Sequence, residues 1–303
     1  MIPVIAGFVL APMDPKAPDV SRVLADFRTC LNTFDEWAAS LLSGSALTVE
    51  QVFKVGEDVA LVAPISSDKP SRTVAQCKAQ GGLTLVHLFE STQFVPIDNT
   101  QVMLQALAVD GSPAGAPIHR TIGPSGILEV NDCSRDQRYQ ITFYPNVSKD
   151  HVKALYASYG SVIAGLEAEL RKQWDERFEP QWADFAQAPA YKRSGLQGIA
   201  FASGIGQALY NLWDNITELY DLLANLRSNS EKLLKYISQA ELDELLTLGK
   251  DTLAKGLLVL SDEPLLFIYL AAMVAWIRML PPPQMYELLG EFTGEVLINL
   301  LLI

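Results

Sequence analysis

The side chains with the most reactive chemistry do not converge. His87, His119 and His151 stand far apart, with no His-Glu-x-x-His and no paired spacing, so they read as ordinary strand or helix-start histidines and no metal is expected. Ser125 sits in Gly123-Pro-Ser-Gly126, which lacks the spacing of a nucleophile elbow and reads as a β-turn. Gly204-Ile-Gly206 has no strand before it and no Gly-Lys-Ser/Thr after it, so its small residues point to close helix packing rather than to a phosphate cradle. Asp262 and Glu263 are adjacent carboxylates suited to acid/base work, yet just before Pro264 they fit a helix N-terminus, where the dipole favours negative charge. Trp37, Trp174, Trp182, Trp213 and Trp276 have faces on which ligands stack, but four of them lie on Leu-rich helical faces and are expected in the core. Cys30, Cys77 and Cys133 are odd in number, widely spaced and without a Cys-x-x-Cys, which supports neither a disulfide framework nor a zinc ribbon and favours a reducing cytosol of origin. The expectation is a non-enzymatic chain with no catalytic, cofactor-binding or metal-binding residue. A site assembled from dispersed carboxylates is the least favoured reading.

The elements that would position these residues change in texture along the chain. Residues 1–80 read as a mixed N-terminal segment: Pro-rich stretches with helical candidates over Ser21 to Leu42 and Thr48 to Val55, and a capping box at Thr33 and Glu36. Residues 81–147 read as a small antiparallel β-sandwich. Leu83 to Phe89, Val102 to Val109, Gly126 to Val130 and Tyr139 to Tyr144 are strand-length and rich in β-formers, and Asp110-Gly111, Gly115, Gly123-Pro124 and Gly126 punctuate them. Period two turns Tyr139, Ile141 and Phe143 inward, with Gln140 and Thr142 outward. Residues 148–303 read as a helical bundle. Its first helix runs from Ser148 to about Phe178, ended by Pro180; a second starts at Gly195, and capping boxes at Ser228 to Glu231 and Ser238 to Glu241 begin further short ones.

The most apolar stretch closes the chain. Leu265 to Ile277 is apolar all round, Pro281-Pro-Pro283 turns the chain, and Met285 to Ile303 forms a second arm, making an apolar helical hairpin. Leu265, Phe267, Leu270, Val274 and Trp276 in one arm, and Leu289, Phe292, Val296 and Leu300 in the other, are the membrane-insertion candidates. At about 1.5 Å per residue the first arm from Leu265 to Leu280 is about 24 Å long, short of a hydrocarbon layer of roughly 30 Å. Glu287, Glu291 and Glu295 form an acidic stripe on the second arm, costly in lipid unless protonated, and are the candidate pH sensors. At neutral pH a buried hairpin is therefore favoured over an inserted one. Ile298 to Ile303 has Asn299 as its one polar residue, which predicts a native continuation beyond residue 303.

Composition narrows the class. The chain has 303 residues, 49% of them hydrophobic and 19% charged, enough for a large buried core, and a mean hydropathy of +0.16 excludes wholesale disorder. A net charge of -12 argues against a nucleic-acid partner, which needs clustered cations. The apolar start, Met1-Ile-Pro-Val-Ile, has no basic region before it and no cleavage-like site after it, so Sec export is not expected. The fold class expected is α+β: a small antiparallel sandwich followed by a mainly helical bundle ending in an apolar hairpin.

Two stretches carry a family likeness. Asp110-Gly-Ser-Pro-Ala-Gly-Ala-Pro, Gly123-Pro-Ser-Gly-Ile-Leu and Asp132-Cys-Ser-Arg-Asp-Gln-Arg-Tyr139 mark the first; Tyr210-Asn-Leu-Trp-Asp-Asn215, Leu233-Leu-Lys-Tyr-Ile-Ser-Gln-Ala-Glu-Leu and Trp276-Ile-Arg-Met-Leu-Pro-Pro-Pro283 mark the second. Over about residues 80 to 303 the chain resembles the N-terminal delivery region of type VI secretion polymorphic toxin effectors of Pseudomonas-like bacteria, and its sandwich is similar to transthyretin-like modules. The resemblance implies interbacterial competition by a secreted toxin: docking to a VgrG-like spike protein or an adaptor chaperone, passage from the producing cytoplasm into a target cell, contact with the target-cell membrane, and a killing domain encoded downstream. It supplies no catalytic residue for this portion. A PAAR-type metal-binding tip sequence is missing, so loading would need a separate spike or adaptor. The alternative keeps the activity here: a colicin-like pore former whose apolar hairpin exchanges core for lipid.

Overall fold

The computed structural model describes residues 17–34, 49–56, 59–78, 82–188 and 262–281. The chain divides into two compact units: Thr48–Tyr159, and a second assembled from Met1–Leu47 and Gly160–Ile303. The class is α+β, with a sandwich-like part built from two antiparallel four-stranded sheets.

Eight strands make up the first unit: β1 (Glu50–Val55), β2 (Val59–Pro64), β3 (Ser71–Gln76), β4 (Leu83–Phe89), β5 (Gln101–Ala106), β6 (Ile118–Thr121), β7 (Ile127–Val130) and β8 (Arg138–Tyr144). One sheet has the order β2-β1-β4-β7 and the other β3-β8-β5-β6. Their inner faces share one core: Phe53, Val55, Leu83, Leu85 and Val130 from the first sheet, and Val102, Leu104, Tyr139, Ile141 and Phe143 from the second. Phe53 and Phe143 join the sheets directly, ring centroids 4.9 Å apart. The alternation of β4 places Leu83, Leu85, His87 and Phe89 on the buried side, as period two demands. Tyr139, Ile141 and Phe143 point inward as expected; Thr142 occupies the opposite face of β8 but is itself fully buried.

The sandwich is larger than the sequence reading of 81–147. Its first three strands come from the segment read as mixed and peripheral, and Glu50–Val55, read as part of a helix, is a strand pairing with β2 on one side and β4 on the other. Three of its six residues, Val52, Phe53 and Val55, are β-formers, and two flanking strands satisfy its backbone, which a helix of this length could not do for itself. β6, Ile-His-Arg-Thr, was not anticipated; it is an edge strand held by β5 alone and carries little hydrophobic pattern. A closing helix, α2 (Lys149–Ser158), begins with Ser148 as N-cap.

The second unit contains α1 (Val20–Arg28) with a 3-10 turn at Cys30–Thr33, α3 (Gly160–Gln173), a π-helical turn at Trp174–Phe178, α4 (Glu179–Gln187) and α5 (Glu263–Met279). Val23, Leu24 and Phe27 form the buried face of α1. Thus residues 17–34 belong with the helices, and the sandwich interrupts the helical unit in sequence instead of preceding it. The single helix expected from Ser148 to Phe178 is broken: α2 ends at Tyr159, α3 restarts at Gly160, and the π turn follows. Pro180 starts α4 rather than ending a helix, because in a first turn its missing N–H has no intrahelical acceptor to lose. The helix starts expected at Gly195, Ser228 and Ser238, the second arm of the hairpin and the Glu36 end of the Thr33 box lie outside the described residues; Thr33 itself donates its hydroxyl to Cys30 O at 2.8 Å.

Candidate functional site

Of the membrane-insertion candidates, Leu265, Phe267, Leu270, Val274 and Trp276 fall on α5, whose sequence dictates both its boundaries and its burial. Asp262 is the N-cap: its carboxylate accepts the Leu265 N–H at 3.0 Å, and Pro264 occupies the first turn. Asp262 is completely buried, and together with Glu263 it builds the helix start that their position before Pro264 suggested. At the other end Trp182 of α4 donates its indole N–H to Met279 O at 2.9 Å, satisfying a carbonyl the helix leaves open.

Between the caps α5 is apolar on every side. Leu265, Phe267, Leu270 and Val274 are buried, with Phe267 fully so, and Trp276 is half-buried against Phe178 at 5.6 Å between ring centroids. Phe34 meets Phe267 edge-on at 5.3 Å. Arg278, the one charge in the last turn, reaches Asp26 of α1 at 2.9 Å, and Arg28 on the same helix pairs with Glu167 of α3. The Arg28 hydrogen bond holds the Glu167 carboxyl below its ordinary range. At 17 residues α5 is about 25 Å long, and among the described residues no helix is long and apolar enough to cross a membrane. Leu289, Phe292, Val296, Leu300 and the proposed sensors Glu287, Glu291 and Glu295 lie outside the described residues.

A second constellation was missed in sequence. His87, on β4, is fully buried, with Nδ1 2.6 Å from Thr100 Oγ1 and Nε2 2.9 Å from Gln51 Oε1. The amide of Gln51 uses its nitrogen on Pro64 O at 2.9 Å and Ser67 O at 3.3 Å, so its oxygen is the end that faces His87. That fixes the tautomer: Nε2–H donates to Gln51, and Nδ1 accepts from the Thr100 hydroxyl. Each polar atom in the chain of contacts has a partner only while the imidazole is neutral. Burial, and secondarily the charge of His151, lower the His87 pKa to about 3. Phe53 stacks on the ring at 4.3 Å. The signal for this cluster was present in the period of β4, which places position 87 inward; nothing local marks Gln51 or Thr100 as its partners.

The other histidines divide between strand and helix start. His119 lies on β6. His151 is the N3 residue of α2, accepting the Ser148 N–H on Nδ1 at 3.0 Å and donating from Nε2 to Asp98 at 2.8 Å. Ser125 lies in the turn closed by Gly126 N–H to Gly123 O at 3.0 Å. Among the described residues no group of three or more His, Cys, Asp or Glu side chains is placed to hold a metal ion.

The cysteines correct the sequence reading. Cys77 and Cys133 form a disulfide, Cα atoms 6.2 Å apart, while Cys30 is a buried free thiol pushed up to about 11 by desolvation. Spacing could not disclose the pair, because what brings it together is the approach of the end of β3 to the chain just past β7.

No protein-family model, no curated protein and no solved structure matches this chain.

Proposed function

We propose that the chain is a non-enzymatic delivery and translocation module of a secreted interbacterial toxin, the role implied by its resemblance to type VI effector regions. In this reading the transthyretin-like sandwich docks to a VgrG-like spike or an adaptor chaperone, and the helical unit keeps an apolar helix stowed until the cargo reaches a target-cell membrane. The observation that carries it is α5: seventeen residues with apolar side chains on all faces, capped at both ends by side chains and packed against α1 and α3. Such a helix is packed for storage as well as for stability. The chain would begin in the producing cytoplasm and end in another cell, with the killing activity encoded downstream.

The docking role is tested by co-purifying the chain with its spike protein, with and without residues 48–159. Loss of co-purification is expected, and undiminished binding of the shortened chain would refute docking through the sandwich. The colicin-like alternative draws on the same helix, which is apolar on every side but, at 17 residues, too short to cross a membrane alone. Dye release from anionic vesicles between pH 4 and pH 7 separates the two: leakage by the purified chain favours the pore, and tight vesicles across that range favour delivery alone.

A further inference from the structure

The disulfide joins two positions that no strand pairing connects. Cys77 directly follows β3, an edge strand of one sheet, and Cys133 follows β7, an edge strand of the other. The bond therefore crosses from sheet to sheet. It does so inside the shared core, where Cys77 is 1% and Cys133 6% exposed, beside Leu83, Val130 and Tyr139. Other hydrogen bonds hold the two ends in place independently of the sulfurs: Cys77 N–H donates to the backbone Gln137 O at 2.9 Å, and Ser134 N–H to the side-chain hydroxyl of Tyr139 at 3.1 Å. A dithiol form thus keeps the sandwich topology, and the disulfide adds a covalent clamp.

We propose that Cys77 and Cys133 form a redox latch on the sandwich: open while the chain is among reducing thiols, and closed once it enters an oxidising compartment such as a periplasm. The inference does not rest on the delivery reading and holds for a pore former as well. Closure proceeds by thiol–disulfide exchange. The thiolate of one cysteine attacks a small-molecule disulfide or a disulfide oxidoreductase, releasing one thiol and leaving a mixed disulfide. The second cysteine then displaces the other thiol, so two protons and two electrons pass from the chain to the oxidant, which departs as two thiols. Opening needs the reverse attack by a thiol reductant, and neither sulfur is exposed to receive it. Burial slows exchange in both directions, so in the oxidising compartment the latch closes as the unit folds or transiently opens, and once closed it reopens only when the unit opens. Cys30 does not compete, because its buried thiol supplies little thiolate at neutral pH.

The pair is separated by 56 residues, so closing it removes enough freedom from the unfolded chain to raise the folding equilibrium by about a thousandfold. The test uses the full chain after incubation with oxidised glutathione or with excess dithiothreitol, followed by alkylation in urea, mass measurement and urea titration of the sandwich. The expected result is one alkylated cysteine in the oxidised chain and three in the reduced chain. The oxidised sandwich should also unfold at a markedly higher urea midpoint, and its reduction should accelerate at least tenfold near that midpoint. The C77A/C133A double variant should unfold at the reduced chain's midpoint in both buffers. Three alkylatable thiols after oxidation, equal midpoints for the two wild-type forms, or reduction as fast in buffer as in urea would each overturn the latch.

Discussion

Acid should loosen the sandwich through His87, and the size of the effect follows from its surroundings. The imidazole is buried neutral between Thr100 and Gln51, with a pKa of about 3 in the folded chain against about 6.5 once unfolded. A base whose folded pKa is depressed contributes stability that is complete above the unfolded value. That contribution is lost as pH falls from about 6.5 towards 3, because the unfolded chain takes up a proton the folded one refuses. The slope approaches ~1.4 kcal/mol per pH unit, so at pH 5 the loss is about 2 kcal/mol and at pH 4 about 3 kcal/mol. Other groups act elsewhere or oppose it. Burial raises the Glu50 carboxyl, which favours the folded state as pH falls, and the depressed carboxyls of Glu167 and Asp110 matter only below the ordinary carboxylate range.

The placement of the chromophores makes the measurement clean. All three histidines lie between residues 48 and 159 and all five tryptophans lie outside that range. Histidine proton resonances during urea titration therefore report the sandwich alone, and tryptophan fluorescence reports the helical unit alone. Between pH 7 and pH 5 the sandwich midpoint should fall, and the H87Q variant, weaker at pH 7, should show a much flatter profile. A His87 resonance titrating near pH 6.5 in the folded chain, or an H87Q profile as steep as that of the parent, would refute the reasoning.

Three further outcomes follow from single contacts. Gly126 has φ +70°, and a Cβ there would meet Pro96 Cβ at 2.7 Å and His87 O at 2.8 Å, so Gly126→Ala should destabilise the sandwich by at least about 2 kcal/mol, read by the same histidine signals. Thr142 Oγ1 is buried with no hydrogen-bond partner among the described residues. Thr142→Val, nearly equal in shape, should therefore raise stability by about 1 kcal/mol, and an unchanged or lower urea midpoint would contradict that. Asp262→Ala removes the cap of α5 and should lower the stability of the helical unit by about 1 kcal/mol in tryptophan-detected unfolding, leaving the histidine-detected transition in place.

How far the fold could be read in advance depended on whether a signal was local. Leu83 to Phe89 is found as expected because its alternation is complete in seven residues, and Tyr139, Ile141 and Phe143 point inward for the same reason. Asp262 and Pro264 announced the start of α5 within three residues of each other. Glu50–Val55 misled because six residues with apolar positions 52, 53 and 55 satisfy either period, and only its partners β2 and β4 decide between them. The helix at Val20–Arg28 was legible in the spacing of Val23, Leu24 and Phe27, within the candidate Ser21 to Leu42, but its membership of the helical unit was hidden for a similar reason. The face of α1 that carries Val23, Leu24 and Phe27 finds its partner more than two hundred residues later, as the Arg278–Asp26 pair records with a separation of 252. The disulfide and the Gln51–His87–Thr100 chain share that character: each is made of unremarkable residues whose meaning arises only from strand register.

The same long-range closure constrains any mechanism that moves α5. Leu265, Leu266, Phe267, Ile268, Leu270, Val274, Ile277 and Met279 are all buried, and at about 1.5–3 kcal/mol each their transfer to water would cost roughly 12–24 kcal/mol. That reaches or exceeds the total stability of an ordinary domain, about 5–15 kcal/mol, so detaching α5 into solvent would cost as much as unfolding the unit. Departure would also strip Phe34 and the apolar face of α1 of their cover and leave the Trp182 indole N–H without its acceptor. Release is feasible only where another apolar phase receives the helix, either a lipid surface or a partner's groove. The delivery and pore readings therefore make a common demand: α5 should stay protected from amide exchange in water at neutral pH and lose that protection only when vesicles or the docking partner are added. Exchange as fast as in an unfolded peptide, in buffer alone, would remove the stowed helix on which both readings depend.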